Sequence, residues 1–375
     1  MKSRAALLYG EGQEFRVEEI EVDDPKQNEV LVHLAATGLC HSDYHMVTGE
    51  YGPLHFPMIG GHEGAGVVEK VGPGVTRVSP VDHVLLTFIP ACGHCRFCSM
   101  GLSFLCDRGA AILQGPQLDG TFRMHTADGQ DAGQFCCIST FSEYTVVPEA
   151  SIVPIDKDLD LTKVCIVGCC VPTGFGSAVN RADVQPGETV VIFGIGGVGI
   201  NAVQGAAVKG ASRVVAVDPV DFKLETAEEL GATHTINPKE QDPVQRVVDL
   251  TNGVGADKAI ITIDNVLPEH VGEAFRAVRK GGRVVVTGVA RYDHQHIDVS
   301  PYELTLFAKE VVGTMYGHSP VNSDLPRYLE LYRTGQLKVD ELITRTYSHD
   351  EINQGYKDML DGKNIRGVIV YDWAR

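Results

Sequence analysis

Apolar positions follow two different rhythms along this chain. Up to about residue 170 they alternate with polar ones, or run briefly between glycine, proline and aspartate. Examples are EVLVHLAAT (29–37), GAGVVEKVG (64–72) and VDHVLLTFI (81–89). Such segments predict β-strands separated by turns. Near Val171 the rhythm changes. ETVVIFG, SRVVAVD, ADKAIITI and GRVVVTG are strand-like runs, separated by helical patterns such as FKLETAEELG and EHVGEAFRAVRKG. Strands alternating with helices predict βαβ units and a parallel sheet. The last sixty or so residues return to short mixed elements, with a helix expected in DLPRYLELYRTG. The pattern predicts an α/β chain in three segments. Residues 1–171 form a β-rich domain, 172–312 a doubly wound parallel-sheet domain, and 313–375 a return to the first.

Composition narrows the function classes. A length of 375 residues suits two domains, and 43% apolar content supplies a sizeable core. The 32 basic and 49 acidic residues leave a net charge of −17. Such a surface repels phosphate backbones and anionic lipid, so neither nucleic acid nor membrane is expected as a partner. The N-terminal apolar run is broken by Gly10, Glu11 and Gly12, too soon for a secretory signal. A cytoplasmic location is therefore expected, and there the ten cysteines are thiols or metal ligands before they are disulfides.

The densest chemical signal is CGHCRFCSMGLSFLC, which holds Cys92, Cys95, Cys98 and Cys106. Four thiolates from one loop can close a tetrahedral shell around zinc and stabilise the fold. Closely spaced cysteines also hold iron–sulfur clusters, which is the rival reading. A second set is dispersed: Cys40 in GLCHSDYH, His62 and Glu63 in GGHEGAG, and Cys169 with Cys170 in VGCCVPTG. Two thiolates and an imidazole make a three-ligand zinc site whose fourth position is open to water or an alcohol. Taken singly, Cys40 reads as a buried thiol and His62 as a turn histidine.

The third signal is GIGGVG, in which Gly194, Gly196 and Gly199 follow the G-x-G-x-x-G order, with Gly197 inside the motif. It follows an apolar strand and opens a helix, and Asp218 ends the next strand. The glycines permit a tight turn, close approach of backbone to pyrophosphate, and close helix–strand packing. The helix N-terminus offers its N–H groups to phosphate. An acidic residue about twenty positions on can take the ribose hydroxyls and repel a 2′-phosphate, favouring NAD over NADP.

GHEGAG, the four-cysteine loop, GCCVPTGFGSAV, GIGGVG and the terminal GKNIRGVIVY stand in one order along the chain. That order resembles the zinc-dependent medium-chain alcohol dehydrogenases over essentially the whole length. ACGHCRFC, CDRGAA, STFSEYTVVPEAS, NQGYKDM and KNIRGVIV are most similar to the bacterial nicotinoprotein, or NDMA-dependent, subfamily. There the nicotinamide cofactor stays bound and an external acceptor reoxidises it.

The resemblance implies a GroES-like catalytic domain, a Rossmann cofactor domain, two zinc ions per chain and NAD(H). It implies that Cys40, His62 and Cys169 ligate the catalytic zinc and that Cys170 packs beside them. Glu63 becomes an acidic neighbour of the metal, and Asp43 the carboxylate that orients His62. Ser42 becomes the hydroxyl that takes the alcohol proton, with His45 at the outer end of the proton path. Asp218 and Lys223 are implied at the adenosine ribose, Val198 and Thr173 beside the nicotinamide, and Arg366 at the pyrophosphate. Phe88 and Phe135 are implied in the substrate pocket.

Two positions depart from the family pattern. His41 stands where many relatives place an arginine near the pyrophosphate, and a histidine is charged there only at lower pH. Asp264 stands in ITIDNV where many relatives have glycine. The leading expectation is an oxidoreductase that turns an alcohol into an aldehyde or ketone with a captive NAD(H). An external acceptor and a homo-oligomer, dimer or tetramer, are expected with it. The alternatives are an NAD-exchanging alcohol dehydrogenase and a thiol-dependent formaldehyde dehydrogenase. A non-catalytic dinucleotide sensor is the distant one, since a binding module has no need of an open zinc.

Overall fold

A computed structural model describes residues 1–372. The chain separates into two compact units. One comprises Met1–Cys169, Pro320–Tyr332 and the residues from Val339 on; the other comprises Cys170–Ser319 and Arg333–Lys338. The return to the first unit therefore begins at Pro320 and is interrupted at 333–338, where one unbroken return from 313 was expected. Residues 373–375 of that expected segment lie outside the described residues.

The first unit carries β1 (Lys2–Leu8), β2 (Arg16–Val22), β3 (Glu29–Gly38), β4 (Met58–Ile59), β5 (Glu63–Val71) and β6 (His83–Thr87). It continues with β7 (Met124–Thr126), β8 (Asp131–Gln134), β9 (Tyr144–Pro148) and β10 (Ile152–Ile155). The second unit carries β11 (Thr189–Phe193), β12 (Arg213–Val217), β13 (His234–Ile236), β14 (Ala256–Ile261), β15 (Val278–Val286) and β16 (Glu310–Gly313). The chain then returns through β17 (Ile343–Tyr347) and β18 (Arg366–Val370).

In the first unit β1, β2, β7, β8 and β4 close a small barrel. A second sheet runs β10-β6-β5-β3-β18-β17, with β9 also paired to β3. β3 is the hub of this sheet and nine of its ten residues are buried. Its apolar run barely alternates because both of its faces are covered. β2 is different: over Glu19–Val22 RVEEIEV exposes Glu19 and Glu21 and buries Ile20 and Val22, the alternation of a half-covered strand. Arg123, fully buried just before β7, makes two 2.7 Å bonds to the Glu29 carboxylate at the start of β3. Removing one partner of so buried a pair costs about 3–5 kcal/mol. The expected strand in VDHVLLTFI is shorter than its apolar run. It is confined to His83–Thr87, because Val81 adopts a left-handed φ of 69° before it.

In the second unit every strand pair is parallel, in the order β13-β12-β11-β14-β15-β16. The strand–helix alternation of the sequence is realised as a doubly wound sheet. The helix expected across EHVGEAFRAVRKG stops at Ala277, since Val278 already pairs with Ala256 as a strand residue. Among the described residues no single helix is long and apolar enough to cross a membrane.

His349 of the first unit is almost wholly buried, edge-on to Tyr371 at 5.1 Å, with Nε2 3.3 Å from the Phe141 carbonyl. Burial, with the Arg4 charge adding to it, pulls its pKa from 6.5 down to about 4. Below about pH 6.5 the unfolded chain takes up a proton that the folded chain refuses. Stability is thus complete above that pH and is lost as pH falls toward 4. About 3 kcal/mol should go over this window. Denaturant midpoints measured from pH 7 to 4 should fall less steeply for His349→Gln than for the wild type.

Candidate active site and metal centres

Three elements of the first unit bring Cys40, His62 and Cys169 together. Cys40 follows β3 and stands, extended, at the N-cap of the helix His41–Thr48. His62 precedes β5 after a turn in which Gly61 has φ 88°. A Cβ on Gly61 would sit 2.5 Å from the Phe141 amide nitrogen, so glycine is required there. Cys169 ends the short 3₁₀ helix Cys165–Gly168. All three side chains are buried, and their ligand atoms lie within 4.8 Å of one another. His62 Nε2 is 3.3 Å from Cys169 Sγ.

Charge is arranged around this set. The Asp43 carboxylate lies 3.0 Å from His62 Nδ1 and accepts a 2.8 Å bond from the Gly61 amide. It therefore orients the imidazole so that Nε2 faces the sulfurs. Burial opposes charge on His62, but Asp43 and Cys40 outweigh it and raise the imidazole pKa to about 10. A hydrogen bond from Cys169 pulls the Cys40 thiol well below its ordinary range against the effect of burial, with His62 assisting. Two thiols and an oriented imidazole, one sulfur already favouring its anion, suit zinc and leave a fourth position for a substrate oxygen. Glu63, fully buried beside His62, is ion-paired with the buried Arg366. The two side chains reach across Gly38 of the central strand, where a Cβ would meet Arg366 Nη2 at 2.8 Å. Arg366, expected at the pyrophosphate, has the Glu63 carboxylate as a partner.

Phe88 and Phe135 both stand edge-on to the His62 ring, at 5.6 and 5.7 Å. They give the candidate metal position an apolar wall. Phe135 enters a segment in which Cys136, Cys137 and Ser139 all hold left-handed φ, at 56°, 59° and 42°. Three such non-glycine residues are costly and persist only where the surroundings enforce them. Ser42 lies 3.6 Å from Cys40 Sγ. His45, buried on the same helix, sets Nδ1 against the Glu50 carboxylate and stands edge-on to Tyr51 at 5.7 Å. Tyr51 also tilts against Phe135 at 5.9 Å. Burial pushes that phenol far above its ordinary range. Neither Glu50 nor Tyr51 belongs to a motif that marks it in the sequence.

In the cysteine loop Cys92, Cys95, Cys98 and Cys106 gather as unbridged thiols. Cys92 and Cys98 sulfurs are 3.9 Å apart, as are those of Cys95 and Cys106. Four zinc–sulfur bonds at tetrahedral angles put sulfurs about 3.8 Å apart. The loop therefore fits one ion and leaves no room for a cluster. Its amides prepare the charge: the Cys98 N–H, then that of Asp107, pulls the Cys95 thiol down to about 6.

The second unit carries the dinucleotide fingerprint between β11 and the helix Gly197–Val208. The three glycines meet three different constraints. Gly194 has φ 89°, Gly196 has open space where a Cβ would stand, and Gly199 packs so closely that a Cβ would lie 2.7 Å from Thr262 Oγ1. The open side at Gly196 suits close approach of a ligand's phosphates. The Asp218 carboxylate accepts 2.7 Å and 3.0 Å bonds from the Ile195 and Val220 amides, which fixes it beside the glycine loop. Lys223 stands in the first turn of the following helix, Asp221–Glu229. Gly174, next to Thr173, lies against Val198 and would bring a Cβ to 2.8 Å from that of Asn201. Thr173 and Val198 therefore belong to one neighbourhood. Cys170 is buried at the head of the helix Cys170–Gly176. Asp264 is exposed beyond β14, and His41 is half-buried at the start of its helix.

Two family models match the chain: the alcohol dehydrogenase GroES-like domain over residues 26–157, and the zinc-binding dehydrogenase over 197–334. The NDMA-dependent alcohol dehydrogenase of Amycolatopsis methanolica is 49% identical over 371 residues, covering 99% of each chain. The S-(hydroxymethyl)glutathione dehydrogenase of Synechocystis sp. is 40% identical over 374 residues, covering 99% of this chain and 100% of that one. Among solved structures, the benzyl alcohol dehydrogenase of Acinetobacter calcoaceticus superposes with a TM-score of 0.92 at 31% identity, over 99% and 100% of the two chains.

Metal analysis separates the two centres. Cys40→Ala, His62→Ala and Cys169→Ala should each retain about one zinc per chain and lose activity by at least about a hundredfold. Two zinc ions in all three variants would remove these residues as ligands. Cys95→Ala or Cys98→Ala should instead lower the melting temperature, because a closed four-sulfur site contributes folding energy. Wild-type melting with full metal content would exclude that role.

Proposed function

The chain belongs to the zinc-binding medium-chain alcohol dehydrogenases, and from that premise we propose that it is an alcohol:acceptor oxidoreductase that keeps its NAD(H) bound through the cycle. Its coarser activity is that of the family: zinc-dependent oxidation of a small-molecule alcohol with a nicotinamide cofactor. The observation that carries the alcohol chemistry is the buried set of Cys40, His62 and Cys169 under the Phe88 and Phe135 rings. Retention of the cofactor, and an external acceptor to reoxidise it, are supported by the full-length likeness to the Amycolatopsis protein.

Zinc held by Cys40, His62 and Cys169 supplies a Lewis acid that makes a bound alcohol's hydroxyl more acidic. The nicotinamide supplies the hydride acceptor. The remaining work belongs to the chain's own residues. Asp43 keeps the His62 ring oriented, and Ser42 accepts the hydroxyl proton and hands it toward His45. Phe88 and Phe135 exclude water and favour an apolar alcohol. Asp218 takes the ribose hydroxyls and disfavours a 2′-phosphate, with Lys223 beside it and Thr173 and Val198 on the nicotinamide side. Assembly into a homo-oligomer is part of the same proposal.

A second reading, oxidation of the adduct between formaldehyde and a small thiol, is supported by the Synechocystis relative. Desalted, zinc-replete protein purified without added nucleotide distinguishes these readings. It should oxidise alcohol over many turnovers with an artificial acceptor, and stop after about one equivalent when NAD is the only acceptor. Rapid turnover with NAD alone, and none with the acceptor unless NAD is supplied, would make the protein an NAD-exchanging enzyme. Activity confined to formaldehyde plus thiol would favour the second reading.

A further inference from the structure

We propose that Glu50 is a positioning residue for His45, fixing its imidazole in the Nδ1–H tautomer so that Nε2 is the atom that receives the alcohol proton. The inference rests on the reading of His45 as the outer end of the proton path.

The arrangement is built by the end of one short helix. His41–Thr48 terminates at Gly49, which is left-handed at φ 74° and ψ 23° and donates its N–H to the His45 carbonyl. The Glu50 amide donates to the same carbonyl at 3.0 Å. Two amides closing on one oxygen fold the chain back over the last helical turn. Residue 50 thereby comes to stand beside residue 45, and Glu50 Oε2 meets His45 Nδ1. Thr48 Oγ1 donates to the same carboxylate oxygen at 2.5 Å, bracing it from the helix side. The two side chains are only 4% and 12% exposed, so the pair is largely withdrawn from water. There a charge-assisted hydrogen bond is stronger than at the surface.

A neutral imidazole has one donor and one acceptor nitrogen, and a carboxylate can only accept. Glu50 therefore requires the proton on Nδ1, which leaves the acceptor lone pair on Nε2. Asp43 imposes the same tautomer on His62, so the chain uses one device twice: once for a metal ligand and once for a base. The alcohol oxygen gives its proton to the Ser42 oxygen as the Ser42 hydroxyl proton passes to Nε2, and Nε2 then releases that proton to water while Nδ1 keeps its own. Only O–H and N–H bonds change, and Glu50 keeps its charge throughout. Of the titratable groups set against the ring, Tyr51 is kept neutral by burial while Glu50 supplies the negative charge. That charge favours the imidazolium form. Without it His45 is a weaker base.

The test uses the full-length holoenzyme, with zinc content and melting temperature verified for Glu50→Gln, Glu50→Asp, His45→Gln and the double variant. In alcohol oxidation, Glu50→Gln should lower kcat about tenfold and move the acid limb of its pH profile down by about one unit. Glu50→Asp should recover most of the rate. Adding Glu50→Gln to His45→Gln should cost less than about twofold more, because the two act through one proton path. An impaired His45→Gln beside a Glu50→Gln with wild-type kcat and pH profile would overturn the proposal. A His45→Gln variant with unchanged kcat and pH profile would overturn the reading beneath it. An independent measurement needs no Glu50 variant. Nitrogen NMR of histidine-labelled wild-type protein, with His45 assigned by its absence in His45→Gln, should show a protonated Nδ1. A protonated Nε2 there would exclude the proposal.

Discussion

Asp43 has no contact with water, and the catalytic half of the chain is arranged so that its charge is never left unpaired. Burial raises its pKa, and what resists that rise is the His62 imidazole on one oxygen and the Gly61 amide on the other. The cost of an isolated carboxylate in such a place is large enough to act as a geometric instruction. The helix that carries Asp43 must lie against the 60–62 turn, glycine must occupy position 61, and His62 must present Nε2 toward Cys169. The candidate metal position follows from satisfying one anion. A neighbouring buried pair, Glu63 with Arg366, couples the next residue of the turn to the terminal strand in the same way.

The cofactor half depends on shape where the metal half depends on charge. One of its three glycines adopts a backbone angle that side chains avoid, one leaves a face open, and one lets a helix approach the preceding turn. Asp218 then uses both of its oxygens to hold amides around that loop. A carboxylate fixed by its own backbone neighbours holds its position without a ligand.

Much of this was legible in the residues alone. The glycine order, the spacing of the four loop cysteines and the change of apolar rhythm near Val171 are local signals. Each corresponds to an element whose geometry its own neighbours set. The pairing of Glu63 with Arg366 was not legible, because it spans most of the chain and depends on β3 lying between β5 and β18. Glu50 was hidden for a different reason. Its role comes from a reversal at Gly49 that brings positions five apart into contact, and a glutamate after a glycine otherwise reads as a solvated turn. The left-handed run at Cys136, Cys137 and Ser139 carries no sequence signal at all, since none of these residues favours that conformation. The short strand at His83–Thr87 and the helix that stops at Ala277 show the remaining limit. A left-handed residue before the strand and a strand pairing after the helix, rather than apolar content, set these limits.

The two metal positions differ in how far the chain must travel to form them. The cysteine loop is complete within fifteen residues, and its thiols are drawn in by amides of the same loop. The other set needs His62 to meet Cys169, 107 residues away, with Cys40 supplied from the end of β3. Closing a short loop costs little chain entropy, whereas the distant set must wait for the sheet that carries it. During synthesis the ribosome delivers all four loop cysteines well before Cys169 emerges. The local centre is thus complete in sequence once residue 106 has emerged, whereas the dispersed one lacks a ligand until residue 169 follows.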